Sequence, residues 1–242
     1  MLNRIKLYLM KFLKISFLLL FCLAINAVTV DTGHANVSLV KFENVDEAKS
    51  KTLIGIRMDM QENWHTYWKN PGDSGGPIKV TWSHDDSVSI SELYWPTPTL
   101  IPYEPLMTYG YKNFVIFPFE INNSNNVNSH IEANIDFLIC DDICVPEKAF
   151  IKTNLNEIKN DASLYDWFLK VPSQTLPVKA SLDSDFIDIR FSWPFDVSSA
   201  IFFIDNQDIA EHAADQNLIK EENNYLLKIK KLDDVKSLEY LS

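Results

Sequence analysis

The run Leu53-Ile54-Gly55-Ile56-Arg57-Met58-Asp59-Met60 decides how the chain folds. Ile54, Ile56, Met58 and Met60 recur at every second position, with Leu53, Gly55, Arg57 and Asp59 between them. In an extended strand successive side chains point to opposite faces, so the run is a strand with one face turned inward. Ile78, Val80 and Trp82 repeat the pattern against Lys79, Thr81 and Ser83. Further strands are expected at residues 37–43, 114–121, 131–140 and 148–154, separated by turn-rich stretches such as 122–129. Several short strands with little helix imply a mainly β chain organised as a β-sandwich.

Downstream the period lengthens. Leu164 and Phe168 stand at helical spacing, Asp161 offers a cap and Pro172 stops the run. This short helix and residues 173–177 mark an expected boundary, with strands again at 186–193, 200–204 and 225–229. The expected organisation is a leader at 1–35, a β-sandwich at 36–156, helix and linker at 157–177, and a second β unit at 178–242. The second unit is short beside the roughly 100 residues of a complete sandwich, so it is expected to be truncated.

The leader follows from Arg4, Lys6, Lys11 and Lys14 ahead of the apolar residues 15–25, with small residues at Ala27 and Ala35. That is the layout of a secretory signal. Its strongly apolar core is about eleven residues where a membrane span needs about twenty, which favours cleavage near Ala27 or Ala35 over an uncleaved anchor. Bulky Phe21 before Cys22 argues against a lipoprotein site, so Cys22 leaves with the signal. Loss of those four cations takes the formal charge from −11 to −15. So acidic a body disfavours nucleic acid or an anionic membrane as partner.

Export leaves two cysteines, in Asp136-Phe137-Leu138-Ile139-Cys140-Asp141-Asp142-Ile143-Cys144-Val145-Pro146-Glu147. Pro146 is expected to limit a β ladder, placing the pair on a loop or strand rim. Three chemistries compete. A structural disulfide closing so small a ring contributes only roughly 2 kcal/mol, little for a chain with a sandwich core. A zinc site lacks its other ligands, because His65, His84, His130 and His212 are scattered. Thiol-disulfide exchange, available to a close pair in an oxidising compartment, is favoured over both. Asp141, Asp142 and Glu147 disfavour a thiolate, so the pair is expected to react only with a docked partner. The alternative is a non-catalytic exported binding module, for an envelope protein or for Cu(I) held by Cys140, Cys144, Met58, Met60 and Met107. Met58 and Met60 also fit the inward face of a strand.

Gly72-Asp73-Ser74-Gly75-Gly76-Pro77 matches the string around the serine nucleophile of trypsin-like proteases. Such a serine needs a histidine base and an orienting acid. Only His34 and His65 precede it in any exported chain, and the sequence before it is too short for a first protease barrel. Asn70-Pro71-Gly72-Asp73 is better explained as a turn, with Pro71 presetting φ and Gly72 accepting φ > 0.

Three motifs stand together: residues 64–75 (WHTYWKNPGDSG), 105–111 (PLMTYGY) and 140–147 (CDDICVPE). Over residues 37–155 they resemble the N-terminal periplasmic domain of the DsbD family of thiol:disulfide interchange proteins, in its ScsB-like branch; residues 202–214 resemble that branch's second extracytoplasmic β domain less specifically. The resemblance implies an immunoglobulin-like domain in the periplasm, with no cofactor beyond the redox-active disulfide Cys140–Cys144. It would relay electrons from a membrane-embedded reductase to exported thioredoxin-fold and other oxidised proteins, with roles in cytochrome c maturation or copper tolerance. Cys144 would form the mixed disulfide and Cys140 resolve it. Leu106, Met107, Thr108, Tyr109 and Gly110 match a mobile cap loop shielding the sulfurs, although Met107, Tyr109 and Tyr111 also suit alternating strand positions. Trp64, Tyr67, Trp68 and Glu147 are expected to line the site. The three-residue gap between the cysteines is shorter than in DsbD proper, and the 242 residues hold no multi-spanning segment, so either a separate protein is expected to supply electrons or the reading frame is truncated.

Overall fold

The computed structural model describes residues 29–43, 51–123, 128–222 and 224–237; the cations, apolar run and Cys22 of the expected leader lie outside them. The strands are β1 (Thr29–Asp31), β2 (Ala35–Phe42), β3 (Lys51–Met60), β4 (His65–Gly72), β5 (Lys79–His84) and β6 (Val88–Ile90). They continue with β7 (Thr99–Tyr103), β8 (Leu106–Lys112), β9 (Phe114–Asn123), β10 (His130–Cys140), β11 (Cys144–Asn154) and β12 (Lys159–Asn160). One sheet runs β1-β2-β3-β9-β6 with β12 beside β2, and the other runs β11-β10-β4-β8-β7 with β5 beside β10. Val37, Ile56, Met58 and Phe117 of the first sheet and Ile131, Ile135, Ile139 and Ile151 of the second are buried in one apolar core. This is the expected immunoglobulin-like sandwich.

β3 behaves as its period of two requires: Ile54, Ile56, Met58 and Met60 are all buried. On its other face Gly55 leaves room for helix α1 (Ser163–Phe168). A Cβ at Gly55 would stand 2.3 Å from Ile116 Cγ2 and 2.7 Å from Leu164 Cδ1, so the missing side chain lets Leu164 seat against the sheet. Asp161 holds the helix start by accepting from the Ser163 N–H at 3.0 Å, and is itself bound by Arg57 at 2.8 Å.

A further sheet, β13 (Val178–Leu182), β14 (Phe186–Phe191), β16 (Asn224–Lys230) and β15 (Asn217–Glu221), is ordered β13-β14-β16-β15 around Ile187, Ile189, Ile204, Leu227 and Ile229.

Several expectations are corrected. Residues 200–204 are not a strand. Their groups are used against the sandwich instead, with the Ile204 carbonyl accepting from Asn70 at 2.6 Å and Phe203 packing edge-on to Tyr109. Asn70 and Pro71 end strand β4 rather than sitting in a turn, and a register shift falls between Tyr67 and Gly72. Gly72 does take φ +80°. Residues 29–34, which fall in the expected leader only if the cut is at Ala35 and not at Ala27, hold β1, which pairs with β2. The 106–110 stretch is strand β8, paired with both β4 and β7, rather than a loop.

Pro146 does not stop the ladder: β11 runs straight through it, with Leu138 opposite Pro146 and Cys140 opposite Cys144. β11 is an edge strand, where proline is tolerated. The Cys140 and Cys144 Cα atoms are 4.2 Å apart, the short spacing of a non-hydrogen-bonded antiparallel pair. Two residues along, Leu138 and Pro146 belong to the same class, so the missing N–H removes no ladder bond.

Candidate functional site

The two cysteines close the β10–β11 hairpin and are joined by a disulfide. Cys140 ends a central strand that also meets His65 of β4, and is 2% exposed. Cys144 begins the edge strand and is exposed, as are Asp141, Asp142 and Ile143 in the turn. One cysteine therefore belongs to the core and the other to the surface, a difference set by where each strand lies in the sheet.

Tyr67 reaches both sulfurs. Its hydroxyl donates to Cys140 Sγ at 2.6 Å and lies 3.2 Å from Cys144 Sγ. Burial pushes this phenol up to about 12, opposed by the nearby Ser74 hydroxyl, so it carries its proton throughout the neutral range. His65 packs edge-on to the Tyr67 ring at 5.3 Å. Burial, then the charge of Lys112, lowers the His65 pKa against the pull of Asp141, keeping the imidazole neutral near pH 7.

Trp64 and Glu147 are tied to the N-terminal strap. His34 stacks on Trp64 at 3.8 Å between ring centroids and places Nδ1 2.5 Å from Glu147 Oε1. Glu147 is buried and also accepts from the His34 N–H at 3.2 Å and from the Thr32 hydroxyl. The carboxylate that stood as a flanking charge in the sequence is thus bound internally, leaving Asp141 and Asp142 as the exposed acids of the hairpin. Sequence reasoning missed Thr32 and His34, because they meet Glu147 across more than a hundred residues, where the turn after β1 packs against β11 of the other sheet.

Trp68 lies away from the sulfurs' hydroxyl partner: it is buried and packs edge-on to Phe203, with Lys69 over its ring. Within the stretch matched to a cap, Tyr109 is 1% exposed and its hydroxyl meets His212 Nδ1 at 3.1 Å. Thr108 and Gly110 are buried, Met107 is partly buried and Leu106 is exposed at the hairpin turn. Ser74 bonds to the Thr108 hydroxyl at 3.0 Å, and Asp73 makes two bonds to Met107, its carboxylate accepting from the Met107 N–H at 2.8 Å and its own N–H donating to the Met107 carbonyl at 2.9 Å. The protease-like string is therefore a clasp between β4 and β8. Met58 and Met60 fill the sandwich core.

Residues 37–155 match the family model of thiol:disulfide interchange protein DsbD, N-terminal. The fold is similar to the crystal structure of the N-terminal periplasmic domain of ScsB from Proteus mirabilis, with a TM-score of 0.64 at 18% identity over 86% of this chain and 85% of that one. That likeness extends well past the family match, into the C-terminal sheet. No curated protein matches the chain.

Proposed function

Because residues 37–155 belong to the DsbD N-terminal family and form a thiol-disulfide exchange domain, we propose that the chain relays electrons between thiol-bearing partners in the periplasm through Cys144 and Cys140. The observation that carries this reading is the asymmetry of the pair, with Cys144 exposed and Cys140 2% exposed. An incoming thiolate reaches Cys144 Sγ. Its electron pair forms the new S–S bond, the Cys140–Cys144 bond breaks, and Cys140 leaves as a thiolate. Tyr67 donates to that sulfur, and a hydrogen bond to a charged acceptor contributes about 1.5–3 kcal/mol. A second partner thiolate then attacks the partner sulfur of the mixed disulfide, releasing the reduced pair. Run in reverse towards an oxidised exported protein, Cys144 attacks and Cys140 resolves the mixed disulfide. The membrane reductase and thioredoxin-fold proteins of the family are the proposed donor and acceptors. The buried Tyr109 and the strand pairing of β8 favour a fixed wall beside the site over a mobile cap.

The same reading puts the export cut after Ala27. Cutting after Ala35 would remove β1 together with Thr32 and His34, leaving the buried Glu147 without those donors. An exported chain beginning at Val28 by mass spectrometry is expected; one beginning at Asn36 refutes that site, and an uncleaved chain refutes the leader. The exchange itself is tested by Cys140→Ala. Non-reducing gels should show covalent adducts through Cys144 with exported thioredoxin-fold proteins, and their absence across a panel would sink the relay.

A further inference from the structure

The C-terminal unit lies outside the family match, yet it grips the loop that borders Tyr67. Asn70 is the joint. Its Nδ2 donates to the Ile204 carbonyl at 2.6 Å while its Oδ1 accepts from the Gly72 N–H at 2.9 Å, and its side chain is buried. Gln207 Nε2 donates to the Gly72 carbonyl at 2.7 Å. Both the N–H and the C=O of Gly72, which takes φ +80°, are thus fixed by groups bound to or belonging to residues 204–207. His212 adds a second hold, linking the Gln207 carbonyl at 2.8 Å to the Tyr109 hydroxyl at 3.1 Å.

From Gly72 the restraint passes along Asp73 and Ser74, both bound to β8, to Gly75. Gly75 lies flat against the Tyr67 ring: a Cβ there would stand 2.1 Å from Tyr67 Cε1. The loop is therefore a wall whose position sets where the ring lies, and the hydroxyl on that ring touches both sulfurs. Movement of the wall by a few tenths of an ångström changes the hydrogen-bond geometry at Cys140.

We propose that residues 203–212 of the C-terminal unit are part of the redox apparatus, with Asn70, Gln207 and His212 as positioning residues that hold the Tyr67 hydroxyl on Cys140 through the 70–76 loop. This rests on the exchange function proposed above. The C-terminal unit thereby helps to stabilise the thiolate that leaves when Cys144 is attacked.

The test is the rate at which dithiothreitol opens the disulfide of the full chain, followed by mass after alkylation. Attack of a dithiothreitol thiolate on Cys144 gives the mixed disulfide and a Cys140 thiolate, and the second dithiothreitol thiol completes the reduction. Tyr67→Phe should open about ten-fold more slowly, the scale of one lost charge-assisted hydrogen bond. Gln207→Ala should slow opening several-fold, and Gln207→Glu, which keeps the shape without the donor, should match it. Gln207 is exposed, so these variants are expected to fold, which the wild-type urea midpoint checks. In the Tyr67→Phe background the Gln207 effect should vanish, because its only route to the sulfurs is gone. Opening at the wild-type rate in Gln207→Ala or Tyr67→Phe, or an unchanged Gln207 effect without the hydroxyl, overturns the proposal. Failure of the Cys140→Ala trap strikes the exchange function separately.

Discussion

The β10–β11 hairpin and the β4–β8 pair belong to one sheet and bury their residues in different patterns. β10 and β11 alternate, with Ala133, Ile135, Phe137 and Ile139 inward and Lys148 and Phe150 facing out. β4 is buried at every position except Lys69, and β8 is buried continuously from Thr108 to Tyr111. An antiparallel sheet with one solvated face alternates; a strand covered on both faces does not. The C-terminal unit supplies the second cover, through Phe203 on Trp68 and Tyr109 and through His212. The sheet thus carries an open end, where a sulfur is offered, beside a closed part that holds Tyr67.

The contrast is broken most severely at Gly110. A Cβ there would stand 2.2 Å from the Thr66 carbonyl oxygen, so Gly110→Ala should push β8 off β4 and cost about 3 kcal/mol in urea unfolding. Phe203→Ala removes the aromatic cover from Trp68 and Tyr109 and should cost about 2 kcal/mol, since the ring is only partly buried. On the open hairpin, Ile143→Ser should change stability by less than about 0.5 kcal/mol, because Ile143 is 67% exposed. Its effect should fall on the rate of mixed-disulfide formation with protein partners.

Tyr67 and Tyr109 are both pushed up to about 12 by burial, from an ordinary value of 10.0. Below pH 10 both native and unfolded chains keep these protons, so the stability is fully present. Between 10 and 12 the unfolded chain ionises first and stability is lost as pH rises. Tyr67→Phe should flatten part of that loss in pH-dependent unfolding, whereas hairpin substitutions should leave it unchanged. The smallest effect is expected at Asp141 and Asp142. Converting both to Asn removes exposed charge beside Cys144 and should speed attack by an anionic thiol about two- to five-fold at low ionic strength, with the gain fading in salt.

The fold was legible wherever a residue's environment is set by its own strand. Ile54 to Met60 and the alternation of β10 needed only the period of two, and the cysteine pair was evident from local spacing. Pro146 misled because proline blocks a ladder only where its N–H would have paired, and edge position and pairing class are properties of the sheet. Residues 200–204 misled because an apolar run reads alike whether it joins a sheet or covers one. β13, exposed along most of its length, offered no periodic signal.

A β-sandwich with two nearby thiols and acids around them is written in period, spacing and composition, which are properties of neighbouring residues. Only the assembled fold makes Cys144 the exposed cysteine, binds Glu147 to Thr32 and His34, and stands Tyr67 on the disulfide behind a loop gripped by Gln207. Those contacts join residues from 73 to 135 positions apart. No local pattern encodes such distances, because they are fixed by which strands pair and which faces are covered.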